Sequence, residues 1–275
     1  MLVSFHSISL PDHPMLQEMD DASYSGGAFR VLYIEGFSPG PGLPAPLLSQ
    51  AGVEWHEGRM PYSLVDVLKN PYLVLLFASI AACTWALSVF SGTLTIFAVI
   101  GLLLALVLWC VILKRAIVGY VLDECVAVYA RRIQELRPDV VFGYSWGGGI
   151  LCALLNRSLW DGPSILLAPA GEQMWKHAGR VPPTLRRGAI PSTASVLTVQ
   201  GDRDPIVPLE EVQRLHKGAE DSSTSAAGPQ VELLVVARGD HFLRGTVTPH
   251  SLLAWFSRLC DRTAARKNRG GESLE

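Results

Sequence analysis

Apolar positions in this chain follow two different patterns. On either side of a central block, short hydrophobic runs alternate with stretches whose apolar residues recur every three or four positions. That alternation predicts a parallel sheet covered by helices. The predicted strands are Phe29–Ile34, Val53–His56, Val140–Phe142, Ser164–Leu167, Val196–Gln200 and Val231–Val236. Between them, helices are predicted at Ala45–Ala51, Gly148–Leu159, Pro208–Lys217 and Pro249–Arg262. Another is predicted over Ile117–Leu136, where Ile117, Val121, Leu122, Cys125, Tyr129, Ile133 and Leu136 fall on one face, and Pro138 ends it.

The central block has no such polar face. No Asp, Glu, Lys or Arg occurs between Lys69 and Lys114, and the only residues of Leu73–Leu113 that are not hydrophobic are Ser79, Thr84, Ser88, Ser91, Gly92, Thr93, Thr95 and Gly101. Ser91-Gly92-Thr93 reads as a turn dividing Tyr72–Phe90 from Leu94–Leu113, each close to the roughly 20 residues that a helix needs to cross a bilayer. The expectation is a transmembrane helical hairpin over residues 72–113. A buried helix pair and a re-entrant or monotopic hairpin are the alternatives. No proline lies between Leu94 and Leu136, so the second leg can run straight into the amphipathic helix as one rod, with Gly119 as its weak point. Arg59, Lys69, Lys114 and Arg115 flank the block and its turn is uncharged, which places both ends on the cytoplasmic side by the positive-inside rule.

This block accounts for the composition. Of 275 residues, 17% are charged and 49% hydrophobic, with a net charge of -2. A charge fraction below the usual ~25% excludes a disordered chain, and near-neutrality supplies no basic footprint for nucleic acid. Cys83, Cys110, Cys125, Cys152 and Cys260 show no CxxC pair and no zinc spacing, so neither a metal nor another cofactor is expected and a reducing compartment fits. The first residues lack the features of a cleaved signal peptide. Residues 218–229 have loop composition, and the basic tail from Arg262 onward reads as a frayed end. The expected organisation is an N-terminal segment (1–28), a discontinuous globular domain (29–71 and 114–262), the hairpin insert (72–113) and a tail (263–275).

The pattern G-x-S-x-G occurs twice. At Gly36-Phe37-Ser38-Pro39-Gly40 the serine is followed by a proline without an N–H and by no helix start, which argues against a nucleophile there. At Gly143-Tyr144-Ser145-Trp146-Gly147 a short apolar strand precedes the serine and an apolar helix follows, the context of a nucleophile elbow. A serine needs an imidazole base oriented by a carboxylate. Two carboxylates, Asp202 and Asp204, follow the strand Val196–Gln200, and Gly239-Asp240-His241 follows Val231–Val236. His177 is a weaker candidate base, and Asp240 suits its own turn better.

With these residues the chain resembles the α/β-hydrolase superfamily, in particular its dienelactone-hydrolase-like and serine-esterase-like members, over residues 29–260 apart from the insert. The resemblance implies an α/β-hydrolase fold, a mostly parallel sheet flanked by helices, here interrupted by the two-helix hairpin. It matches Ser145 to the nucleophile, Asp204 to the acid with Asp202 as runner-up, and His241 to the base. The oxyanion hole falls to the backbone N–H groups of Trp146 and Phe37. Glu35 stands where the family commonly has His, and only Leu2–Leu10 is available for the hairpin that usually opens the sheet.

The expected activity is that of a membrane-anchored serine hydrolase cleaving carboxylic ester or thioester bonds of a small-molecule or lipid-like acyl substrate. The segment Gly171–Thr193 is too small for a large lid, so the pocket is expected to be open. The other readings are an inactive membrane-anchored binding or scaffold protein of the same fold, and a related enzyme that cleaves amide or carbon–carbon bonds.

Overall fold

The computed structural model describes residues 7–8, 29–36, 44–58, 74–75, 77–82, 85, 95–186, 188–217 and 229–271. The strands are β1 (Ser7–Ile8), β2 (Arg30–Ile34), β3 (Glu54–Gly58), β4 (Val140–Tyr144), β5 (Pro163–Leu167), β6 (Ser195–Gly201) and β7 (Gln230–Val236). The helices are α1 (Pro44–Gln50), α2 (Thr95–Leu136), α3 (Trp146–Asn156), α4 (Gly171–His177), α5 (Leu209–His216) and α6 (Pro249–Gly271). Every predicted strand of the globular part is present, and the seven strands form one sheet in the order β1-β7-β6-β5-β4-β2-β3. All pairings are parallel. A parallel sheet needs both faces covered, and side chains alternate between them. Leu32 and Ile34 of β2 face one core with α2, α3 and Trp175 of α4, while Val31 and Tyr33 face the other with α1 and α6. This is the flanked parallel sheet that the resemblance implies.

The chain runs outward from β2 to β3, then returns to place β4 between β2 and β5 before stepping the other way to β7. The direction therefore reverses between β2 and β4. In open α/β sheets the crevice beyond the strands' carboxyl ends at such a reversal is where ligands gather.

Helix α2 is a single 42-residue helix, about 63 Å long at 1.5 Å per residue. It joins the second leg of the predicted hairpin to the amphipathic helix without a break. Gly119 does not interrupt it; a methyl there would lie 3.2 Å from Nη2 of Arg180, whose guanidinium crosses the helix at this point. Arg180 forms a two-pronged pair with Asp123, Nη1 to Oδ1 at 2.8 Å and Nη2 to Oδ2 at 2.6 Å, and Arg157 of the loop after α3 adds a third bond at 2.8 Å. Arg180, then burial acting the other way, then Arg157 set the Asp123 carboxyl, which ends lowered to about 2. Leu122, Cys125, Val126, Tyr129 and Ile133 bury the carboxyl-terminal half of α2 in the first core.

The amino-terminal half differs. Leu104, Val107, Leu108, Val111 and Ile112 are exposed. Residues 74–75, 77–82 and 85 are also helical, and Trp109 Nε1 donates to Ser79 Oγ at 2.9 Å, so the two legs of the apolar block touch. Among the described residues no helix is long and apolar enough to cross a membrane. The predicted transmembrane hairpin is therefore not shown. Its turn, Ser91-Gly92-Thr93, and parts of both legs lie outside the described residues.

One further expectation differs from the structure. The basic end does not fray at Arg262: α6 continues to Gly271. Arg258 and Arg262 both pair with Glu232 of β7, Thr263 is buried, and Arg266 donates to the Ser192 carbonyl at 3.1 Å. At the other end, the two described residues Ser7–Ile8 pair in parallel with β7 at the edge of the sheet. His216, placed inside a helix by the sequence, is buried in α5 with Nε2 2.9 Å from Thr198 Oγ1, and burial holds its imidazole down at about 4.

Candidate active site

Five strand ends gather on this side of the β2/β4 reversal: those of β2, β4, β5, β6 and β7. Ser145 stands between β4 and α3 with φ 51° and ψ -114°, a conformation that L-residues seldom adopt and that a tight strand-to-helix turn imposes. The turn is held from both sides, because the Ser145 N–H donates to the Leu167 carbonyl at 2.8 Å and its own carbonyl accepts from Ala170 N at 2.9 Å. Close packing makes the turn possible. A methyl at Gly147 would sit 2.0 Å from the Ile34 carbonyl oxygen, so β2 approaches the elbow only because no side chain is there. Gly36, after β2, also lies close to the serine, with its missing Cβ 3.0 Å from Ser145 Cβ.

The carboxylate and the imidazole come from the loops after β6 and β7. These loops are pressed together at Gly201, where a methyl would meet the Gly239 carbonyl at 2.3 Å, and Arg203 N donates to that same carbonyl at 3.0 Å. The result is a continuous hydrogen-bonded chain: Ser145 Oγ lies 3.0 Å from His241 Nε2, and His241 Nδ1 lies 2.7 Å from Asp204 Oδ2. Both His241 and Asp204 are buried, at 5% and 6% exposure, so water does not compete for the bond between them. Burial alone pushes the Asp204 carboxyl up, but the bonds from His241, Val207 N and Ile206 N outweigh it and hold the carboxyl below its usual range. An ionised Asp204 accepting from Nδ1 leaves Nε2 as the acceptor for the serine hydroxyl proton.

The structure thus brings together three of the sequence-selected residues, Ser145, Asp204 and His241. It pairs the imidazole with Asp204, not with Asp202, which is exposed. Asp240 caps its own turn, its Oδ1 accepting from Phe242 N at 3.0 Å. His177 is exposed at the end of α4, and Glu35 lies between β2 and Gly36. Trp146 is the first residue of α3, at the positive end of that helix. Phe37, the other expected oxyanion donor, and Ser38 lie outside the described residues. Among the described residues no group of three or more His, Cys, Asp or Glu side chains is arranged to hold a metal ion.

Two polar residues near the site escaped the sequence reading. Gln200, fully buried at the end of β6, donates to Asp204 Oδ2 at 3.1 Å and to the Val207 carbonyl at 2.8 Å. Gln173 of α4 donates to the Ile206 carbonyl at 2.6 Å, bracing the carboxylate loop from the other side. The only local signal for Gln200 is a polar side chain at the end of a strand otherwise suited to burial.

No protein-family model matches the chain, and no curated protein does. Solved structures similar to it include the native form of the thermophilic esterase Est2 from the Planctomycetes species Thermogutta terrifontis, 13% identical with a TM-score of 0.40 over 87% of this chain and 83% of that one. MGS-M1, an α/β hydrolase from a Medee basin deep-sea metagenome library, is 15% identical with a TM-score of 0.37 over 91% and 88%. An α/β serine hydrolase homologue from Coxiella burnetii is 22% identical with a TM-score of 0.31 over 50% and 57%. For that protein and for Atu2452 from Agrobacterium tumefaciens, the match spans only 57% and 63% of the other chain's length. At these scores and identities no residue's role follows from any of them.

Proposed function

We propose that the chain is a serine hydrolase that cleaves carboxylic ester or thioester bonds through an acyl-enzyme. The observation that carries this reading is the Ser145–His241–Asp204 hydrogen-bonded chain at a strained strand-to-helix turn. In the proposed reaction Ser145 Oγ attacks the acyl carbonyl while His241 Nε2 takes its proton. Asp204 holds the imidazole through Nδ1 and stabilises the imidazolium. The backbone N–H groups of Trp146 and Phe37 stabilise the oxyanion. His241 then returns the proton to the departing alcohol or thiol, and water, activated by the same imidazole, releases the acid. Apolar acyl groups are the preferred substrates in this reading, because Ile206 and Phe242 beside the site are exposed at 49% and 41%.

The test is hydrolysis of a p-nitrophenyl ester series of increasing acyl length, compared with the matching anilides and thioesters. Turnover of esters or thioesters well above that of anilides is expected. Faster anilide cleavage would assign the site to amide chemistry, and no turnover in any series would leave the scaffold reading.

We also propose that the apolar block anchors the protein at a membrane, with the globular domain on the cytoplasmic side. Its support is the charge-free stretch itself, the exposed apolar residues on the amino-terminal half of α2, and the Trp109–Ser79 bond between the legs. Water meeting so large a contiguous apolar surface is unfavourable, and lipid is the cover that asks for no polar partner. Lys114 and Arg115 then lie where the helix leaves the apolar region, suited to lipid phosphates. An epitope inserted after Ser91 is expected to resist added protease in sealed vesicles that display the globular domain outward. Digestion of that epitope as fast as the domain would overturn the spanning arrangement.

A further inference from the structure

Among the described residues the Asp204 carboxylate has four hydrogen-bond partners, as many as an ionised carboxylate readily accommodates. Oδ1 accepts from Ile206 N at 2.8 Å and Val207 N at 2.9 Å. Oδ2 accepts from His241 Nδ1 at 2.7 Å and from Gln200 Nε2 at 3.1 Å. Three of these are the turn's own backbone and the imidazole; the fourth comes from a different element, the buried end of β6. The two protons of the same amide nitrogen are shared with the carbonyl oxygens of Val207 at 2.8 Å and Gly201 at 3.2 Å. One side chain therefore touches the start of the loop, its carboxylate and its far end. The opposite atom, Oε1, is buried with no partner among the described residues. A buried amide with half its capacity unmet is an unfavourable choice for a β-strand core, and its donor half is spent entirely on this loop.

We propose that Gln200 is a positioning residue for the Asp204–His241 pair, fixing the carboxylate plane and sharing the oxygen that faces the imidazole. The proposal rests on the reading of Ser145, His241 and Asp204 as a working triad. Two consequences follow from the shared oxygen. With both oxygens held, the carboxylate does not rotate away from Nδ1 during a catalytic cycle. With Oδ2 shared between Gln200 Nε2 and His241 Nδ1, part of the carboxylate charge is engaged by the amide, which moderates its pull on the imidazolium. Among the described residues, the other titratable and charged groups about the pair are Tyr144 of β4, whose ring centroid lies 5.4 Å from that of His241, and Asp240 and Arg244 of the base loop. A change at position 200 leaves all three in place.

The experiment uses the full chain in detergent micelles with two variants. Gln200→Met keeps the length of the side chain and removes the donor; Gln200→Asn keeps the amide and shortens its reach. Both are expected to lower kcat about tenfold with little change in KM, and to move the acid limb of the pH profile of kcat/KM upward by about half a unit. The downfield proton resonance of His241 Nδ1–H is expected to shift in both. In the parent protein, the Gln200 side-chain amide protons are expected to exchange slowly with solvent. A role confined to core packing would lower thermal stability and leave the acid limb and the resonance where they are, and that result would overturn the proposal. Fast exchange of the parent's Gln200 amide protons would overturn it as well, whether or not either variant folds. The resonance and exchange measurements need no turnover. Lack of esterase activity with a shifted resonance would count against the triad reading alone, whereas full activity with an unmoved resonance and acid limb would count against Gln200 alone.

Discussion

Replacing Ser145 by alanine is expected to lower kcat/KM toward esters by about 10⁴-fold or more while leaving the fold intact. The magnitude follows from what the hydroxyl does in the proposed reaction. Without Oγ no acyl-enzyme forms, and the residual rate is what the oxyanion donors and binding give to direct attack by water. The structural cost is small, since the substitution removes one partly buried hydrogen bond, to His241 Nε2, and leaves the bonds of the Ser145 backbone to Leu167 and Ala170 in place. The melting temperature is therefore expected to stay within a few degrees of the parent's. The measurement is steady-state kinetics on the best ester, with a parallel thermal melt. A Ser145→Ala protein retaining a tenth of the parent's activity would show that another group supplies the nucleophile.

The second large effect is on stability. Gly147→Ala places a methyl carbon 2.0 Å from the Ile34 carbonyl oxygen, 2.6 Å from its carbon and 2.7 Å from the Glu35 oxygen. All three are backbone atoms, so no side chain can swing aside. Relief requires the end of β2 to move away from the elbow by more than an ångström. That movement strains the β2–β4 pairing, in which Ile34 lies opposite Gly143. A destabilisation of about 4 kcal/mol or more is expected, at the upper end of what single substitutions produce, read as a fall in the urea midpoint or as failure to fold. Activity is expected to be lost even at temperatures where the protein stays folded, because Gly36, packed against Ser145, moves with β2. A variant unfolding within about 1 kcal/mol of the parent would contradict the packing drawn around the elbow.

What the amino-acid pattern revealed and what it hid have physical causes. Six of the seven strands were visible, the inner ones because burial on both sides of a parallel sheet demands a nearly continuous apolar run, whereas β1, two residues long, offers none. The serine, aspartate and histidine stood out because each directly follows such a run and keeps company with glycines, which the close approaches at Gly147 and Gly201 require. The continuity of α2 was legible from the lack of proline, and the reason for a glycine at 119 was not, since it lies in Arg180 arriving from the segment after α4. The basic end of α6 was misread as frayed because its support, Glu232, sits on β7, thirty positions before Arg262. Gln200 was hidden for the same reason: a polar residue at a strand end looks solvated until the loop it closes on is seen. Pairings between distant segments leave little trace in local periodicity. The apolar block is the reverse case, plain in the sequence and only partly within the described residues.

The central claim is that Ser145 is a nucleophile activated by His241. It is tested most directly by treating the whole 275-residue chain with a fluorophosphonate probe and locating the adduct by mass spectrometry. One equivalent of label on the peptide containing Ser145 is expected, with none in Ser145→Ala and slow labelling in His241→Ala. No labelling of the folded protein, or equal labelling of the parent and Ser145→Ala, would contradict the account.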